Sequence, residues 1–168
     1  MKKIFAICAM VLVAGALLTS CKDKPKDNTL TVKLGENTEW TANDVYADVT
    51  PADRMILAAS ENYSDDNVAY VKGSLGKDAG TFKMADGYFF VYVEDINDQD
   101  STGAANWYAT EATQELTNVD LNAKTIDGTA NQTMSNTKTG ATGVAMDVTM
   151  TNVAWTARDM AKKAINVK

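Results

Sequence analysis

Twenty-two carboxylates and no histidine set the chemistry open to this 168-residue chain. Without imidazole it lacks the usual general base near neutral pH, the commonest metal ligand and every Ser-His or Cys-His pairing. Gly73-Ser74-Leu75-Gly76 does not have the spacing of a nucleophile elbow, and no glycine-rich phosphate loop occurs. A carboxylate pair could drive glycoside hydrolysis. Acids are abundant here, but most must be solvated surface, so abundance does not single out a pair. These absences point to a protein that is not an enzyme, with a carboxylate-based glycoside hydrolase as the remote alternative.

Two groups of residues could still bind something. Asp95 to Gly103 packs three aspartates and several oxygen donors into one loop. Asp98, Asp100, Thr102 and Gly103 fall at positions one, three, five and six of an Asp-x-Asp-x-Ser/Thr-Gly loop. Alternating donors there wrap one Ca2+ ion, and the glycine permits the turn. Ala109 stands where the bidentate Glu belongs, and Glu94 or Glu111 could replace it only by folding back. A solvated acidic hairpin is the simpler account, so no cofactor is expected. The second group is aromatic. Core packing is the default for the three Trp and six Tyr. Tyr46, Tyr63 and Tyr108 are the candidates for stacking on a glycan, and Trp107 and Tyr108, adjacent in one strand, must point to opposite faces.

The elements that position these residues read as strands. Leu30, Val32 and Leu34 alternate with Thr31 and Lys33, and Val45, Ala47 and Val49 with Tyr46 and Asp48. Met55 to Ala59 is a continuous apolar run of the kind a central strand needs. Val68–Val71, Tyr88–Val93 after the Asp86-Gly87 turn signal, 106–112, 116–121, 125–133 and Val144–Val153 complete the set. No long 3.6-residue period separates them, so a parallel α/β sheet is not expected. The expected fold is all-β, a β-sandwich or related barrel of about 9–10 short antiparallel strands. A short C-terminal helix is expected over 156–166, where Ala157, Met160, Ala161, Ala164 and Ile165 share one stripe.

The N-terminus has a different logic. Lys2 and Lys3 precede an apolar run from Ile4 to Leu18, which ends in Leu18-Thr19-Ser20-Cys21. The run is shorter than the roughly 20 residues that span a bilayer. Its three-part layout is that of a secretory signal. The sequence Leu18 to Cys21 resembles the lipobox of bacterial lipoproteins, which implies cleavage before Cys21 and acylation of its thiol. Cys8 leaves with the leader, so no intradomain disulfide is expected. The organisation is then 1–20 signal peptide, 21–29 lipidated tether, 30–155 β domain and 156–168 helix or tail. Removing Lys2 and Lys3 leaves 14 basic against 22 acidic residues, a net charge of −8. Such a surface repels nucleic acid, so the membrane is met through lipid rather than charge.

Four stretches extend the resemblance: Glu39-Trp40-Thr41-Ala42, Gly80-Thr81-Phe82, Lys124 to Thr129 and Val148 to Asn152. In order and spacing they resemble a family of uncharacterised Bacteroidetes lipoprotein β-domains, over most of residues 30–153. The resemblance implies a tethered sandwich-like domain in the cell envelope, on the outer membrane, with no activity attached. Which face of that membrane it occupies stays open, because Asp23 and Asp27 are interleaved with Lys22, Lys24 and Lys26. Asp100-Ser101-Thr102 also resembles the motif at which Bacteroidetes O-glycosylate exported proteins, which implies a glycan on Ser101. The resulting expectation is a non-enzymatic, envelope-anchored binding or interaction module for a glycan or envelope protein. The alternative is a structural or surface-coat lipoprotein.

Overall fold

A computed structural model describes residues 28–50, 52–61, 69–94 and 107–158. They form one curled sheet of eleven strands. In chain order these are β1 (Thr29–Leu34), β2 (Thr38–Thr41), β3 (Asp44–Thr50), β4 (Arg54–Ser60), β5 (Tyr70–Gly76), β6 (Gly80–Lys83), β7 (Phe90–Val93), β8 (Trp107–Asp120), β9 (Thr125–Asn136), β10 (Val144–Ala154) and β11 (Thr156–Ala157). The spatial order is β11-β3-β4-β5-β7-β8-β9-β10-β1-β2, with β6 paired to β8 off that path. Every pairing is antiparallel except β11 with β3. The all-β expectation holds.

The sheet curls because two strands leave one end of it and arrive at the other. β2 and β3 are nearly continuous. Ala42 N–H bonds Leu30 O on the β1 side, and the next N–H, of Asn43, bonds Ser60 O on the β4 side. Trp155 similarly carries β10 into β11. β10 and β2 both run antiparallel to β1 and therefore parallel to each other, which is why β11 lies parallel to β3. Strands that switch sides through a bend let one sheet fold over its own core. The bend in β10 is built at Asn152, which has φ 45° and sits in the register shift between Met150 and Val153. Asp127 Oδ1 accepts the Asn152 N–H at 2.7 Å, and Asn152 Nδ2 donates to Asn28 Oδ1 at 2.6 Å.

Thr156–Ala157 is thus a strand and not the start of the expected helix. Arg158 continues the ladder by donating its N–H to Ala47 O, and its guanidinium lies 5.0 Å over the Tyr46 ring. The pairing to β3 outweighs the helical stripe that begins at Ala157. The remainder of 156–168 lies outside the described residues.

The core takes alternate residues from each strand: Leu30 and Val32, Met146, Val148 and Met150, Ile126 and Met134, Leu57, Val71 and Phe90. Where the sequence predicts two strands over 106–121, one 14-residue strand runs through. A bulge between Ala109 and Glu111 shifts its inward positions from Trp107 and Ala109 to Ala112, Gln114 and Leu116, and so hides the period. Gly128 serves the second β8–β9 irregularity, between Leu116 and Asn118. A Cβ there would lie 2.8 Å from Leu116 Cα, and its φ of 154° disfavours side chains.

Candidate functional site

The sheet wall has one break along the edge of β8. On that edge, Lys83 of β6 pairs with Thr113, and the next pair, Tyr92 of β7 with Trp107, lies six residues back. Residues 108–112 have strand partners only on the β9 side. Between β6 and β7 the chain makes a single 3-10 turn, Met84–Asp86. The Asp86-Gly87 signal predicts a plain hairpin turn at this point. Instead Gly87, at φ 85°, closes the 3-10 turn by donating its N–H to Met84 O. Arg54 fixes the turn from β4, donating to Gly87 O at 3.2 Å and to Asp86 O, while its guanidinium rests 4.8 Å from the Tyr88 ring centroid.

An open depression of about 470 Å³ occupies the break, lined by Lys83, Met84, Ala85, Thr110, Glu111 and Ala112. Two buried glutamines, outside the lining of the depression, sit on neighbouring strands: Gln114 (0% exposed) on β8 and Gln132 (5%) on β9. Ala112 is the cross-strand partner of Gln132, and Gln114 sits one diagonal step away, opposite Ala130. Each glutamine replaces a missing ladder bond. Gln114 Nε2 donates to Ser74 O at 2.8 Å, just past the last β5–β7 pair. Gln132 Oε1 accepts the Phe90 N–H at 2.7 Å, at the point where β7 has no β8 residue opposite. The other half of each amide, Gln114 Oε1 and Gln132 Nε2, has no hydrogen-bond partner. A buried polar group left unpaired costs about 1–3 kcal/mol, and Gln114 Oε1 and Gln132 Nε2 share that state with Trp40 Nε1, Ser60 Oγ, Ser74 Oγ and Trp155 Nε1.

A second polar cluster lies at the closing seam. Trp40 of β2 meets Tyr92 of β7 with ring centroids 6.4 Å apart. The Trp40 indole N–H is buried without a hydrogen-bond partner. Burial dominates and holds the Tyr92 hydroxyl above its ordinary value of 10.0, with the charges of Glu94 and Glu61 adding to the rise. Burial alone raises Tyr70 in the same sense. The Trp107 indole N–H donates to Glu94.

The residues singled out from sequence do not converge here. Cys21, Tyr63, Asp98, Asp100, Ser101 and Thr102 lie outside the described residues. Tyr46 is half-buried, with the Arg158 guanidinium over its ring. Tyr108 is 45% exposed while Trp107 is buried, as their alternation requires. Tyr46 is on β3 and Tyr108 on β8, with three strands between them in the sheet. Among the described residues no three Cys, Asp or Glu side chains gather in a way that could hold a metal ion. Sequence reasoning missed Gln114 and Gln132. For Gln132 the signal was there: it shares parity with Ala130 and Met134, which makes it an inward polar residue. For Gln114 the bulge erased it.

No family model, curated protein or solved structure matches this chain. Among the described residues no helix is long and apolar enough to cross a membrane.

Proposed function

We propose that the chain is a lipid-anchored envelope protein, attached through Cys21, whose β domain is a non-enzymatic binding or interaction module. We place it with the Bacteroidetes lipoprotein domains that its motifs resemble. The observation that carries the binding reading is the break in the wall. It is a concave opening in which Met84, Ala85 and Ala112 supply apolar surface and Lys83, Thr110 and Glu111 supply polar groups, the mix of surfaces that recognition sites share. Its only carboxylate is Glu111, and its other charged group is Lys83. Glycoside hydrolysis needs two carboxyl groups facing each other at roughly 5–9.5 Å, so these residues support binding over hydrolysis.

A surface-coat role is the second reading, and the polar face of the long strands favours it. On that outer face, Thr41, Thr31, Thr149, Thr129, Glu115 and Thr81 form one cross-strand row over six strands. Glu39, Lys33, Asp147, Asn131, Thr113 and Lys83 form the next. Among the described residues the exposed large apolar ones are Val49, Tyr108 and Leu121, which sit on separate elements.

Capture of envelope components by the detergent-solubilised protein separates the two readings. A specific glycan or protein lost in Met84→Trp, which fills the depression, supports the module. Capture of nothing, together with abundance sufficient to cover the cell, supports the coat. The anchor is tested by labelling cells with a fatty acid: Cys21→Ser should lose the label and membrane association. Protease added to intact cells then reports the membrane face.

A further inference from the structure

The outer face of β3, β4, β5 and β7 carries two adjacent cross-strand rows. One is Asp44, Ser60, Tyr70 and Val93, the other Tyr46, Ala58, Lys72 and Val91. Ser60, Ala58, Tyr70 and Val93 are buried on this face, yet Ala58, Tyr70 and Val93 stand outside the hydrophobic cluster that fills the inside of the sheet. All the described strands belong to the one sheet, which wraps its core on the other side, so none of them supplies the cover. We propose that residues 159–168 cover this face, as a short amphipathic helix laid across the two rows and docked on Ala58, Val91 and Val93.

The point of entry fits. β11 ends at Ala157, and Arg158 donates its N–H to Ala47 O while its guanidinium lies over the Tyr46 ring, in the same row as Ala58. Residue 159 therefore starts at the rim of the buried face. The length fits as well: the rows cross four strands, about 14 Å at ~4.8 Å per step, and ten helical residues reach about 15 Å. Met160, Ala161, Ala164 and Ile165 fall on one helical stripe, flanked by Lys162 and Lys163. Those lysines complement Asp44 and Asp48, which share the outward parity of Tyr46 along β3. The other segments that could reach the face suit it less. Residues 62–68 and 95–106 offer Tyr63, Val68 and Ile96 as their only large apolar side chains, and they add five aspartates and no basic residue beside an acidic rim. So short a helix does not hold alone in water, so packing on the sheet is what would fix it.

The test uses the 13C-methyl-labelled, detergent-solubilised full chain. Nuclear Overhauser contacts are expected from the Met160 and Ile165 methyls to those of Ala58, Val91 or Val93. Met160→Asp combined with Ile165→Asp should abolish them and shift the Ala58 and Val93 signals, while Leu30, Val32 and Val148 in the opposite half stay in place. Random-coil shifts throughout 159–168 would overturn the proposal, as would Ala58 and Val93 contacts to Tyr63, Val68 or Ile96 instead. Contacts found only between differently labelled chains in a mixed sample would make the occupant a second copy and overturn the intramolecular arrangement. The contacts of the unsubstituted chain decide the outcome even where the double variant fails to fold. None of these results bears on the depression beside Met84, so this proposal and the binding reading fail separately.

Discussion

The two halves of the curled sheet use alternation differently. In the half built from β2, β1, β10, β9 and β8, inward residues are mostly apolar, with Gln114 and Gln132 as exceptions, and outward ones mostly polar. Its outer face is the Thr-rich surface of the two cross-strand rows. In the half built from β3, β4, β5 and β7, both faces carry buried residues. Leu57, Ala59, Val71 and Tyr92 face the core, while Ala58, Ser60, Tyr70 and Val93, on the opposite parity, are also buried. A sheet covered on both faces needs near-continuous apolar strands, and a sheet covered on one needs strict alternation. The same secondary structure thus tolerates opposite substitutions, and the seam between the halves is where the wall breaks.

That contrast can be broken most severely at Ala58. Lysine there would bury an unpaired charge, and Ala58→Lys should destabilise by about 3 kcal/mol or more, to the point of failing to fold. Thr149→Lys, a residue of the same outward orientation on the other half, should stay within roughly 0.5 kcal/mol in the same urea titration. Equal effects would show that the second half is not buried on both faces. At the seam, Gln132→Leu strips the Phe90 N–H of its partner and should cost about 1–3 kcal/mol. Native-state hydrogen exchange should show the Phe90 amide among the signals that accelerate most.

Alkaline titration sharpens the same comparison. Tyr70 and Tyr92 belong to the doubly buried half, and burial raises both hydroxyls above 10.0. A raised acid binds its proton more tightly when folded, so this stability is full below about pH 10 and lost as pH climbs past it. Tyr70→Phe with Tyr92→Phe should flatten the loss of melting temperature above that point. The exposed Tyr108→Phe should not. The smallest expected effect is that of calcium on the incomplete Asp98–Asp100–Thr102 set. Millimolar calcium should leave the melting temperature unchanged, and an upward shift lost in Asp98→Ala would reveal a complete site.

Much of the fold was legible because period two is a local property. Leu30 to Leu34 and Val144 to Met150 alternate in sequence as they do in space. The Met55–Ala59 run announced a strand covered on both faces. Bulges defeated that legibility. At Thr110 an extra residue reverses the inward parity, so one 14-residue strand read as two, while the helix expected over 156–166 came from the apolar stripe that begins at Ala157, which the pairing of β11 to β3 overrides at its first residues. The candidate site was nearly invisible, because no local pattern states that β8 lacks a partner along residues 108–112.

The sequence by itself determined most of the strand content, the absence of imidazole and the apolar run that precedes Cys21, since each follows from residue type and short-range spacing. Only the tertiary structure decided that the sheet curls upon itself through Ala42 and Trp155, that its halves differ in how many faces they bury, and that Gln114 and Gln132 stand in for absent ladder bonds. Those features depend on hydrogen bonds between residues tens of positions apart, such as Gln114 to Ser74 and Phe90 to Gln132. A buried amide takes its meaning from the backbone it meets, and that backbone is set by the packing of the whole sheet.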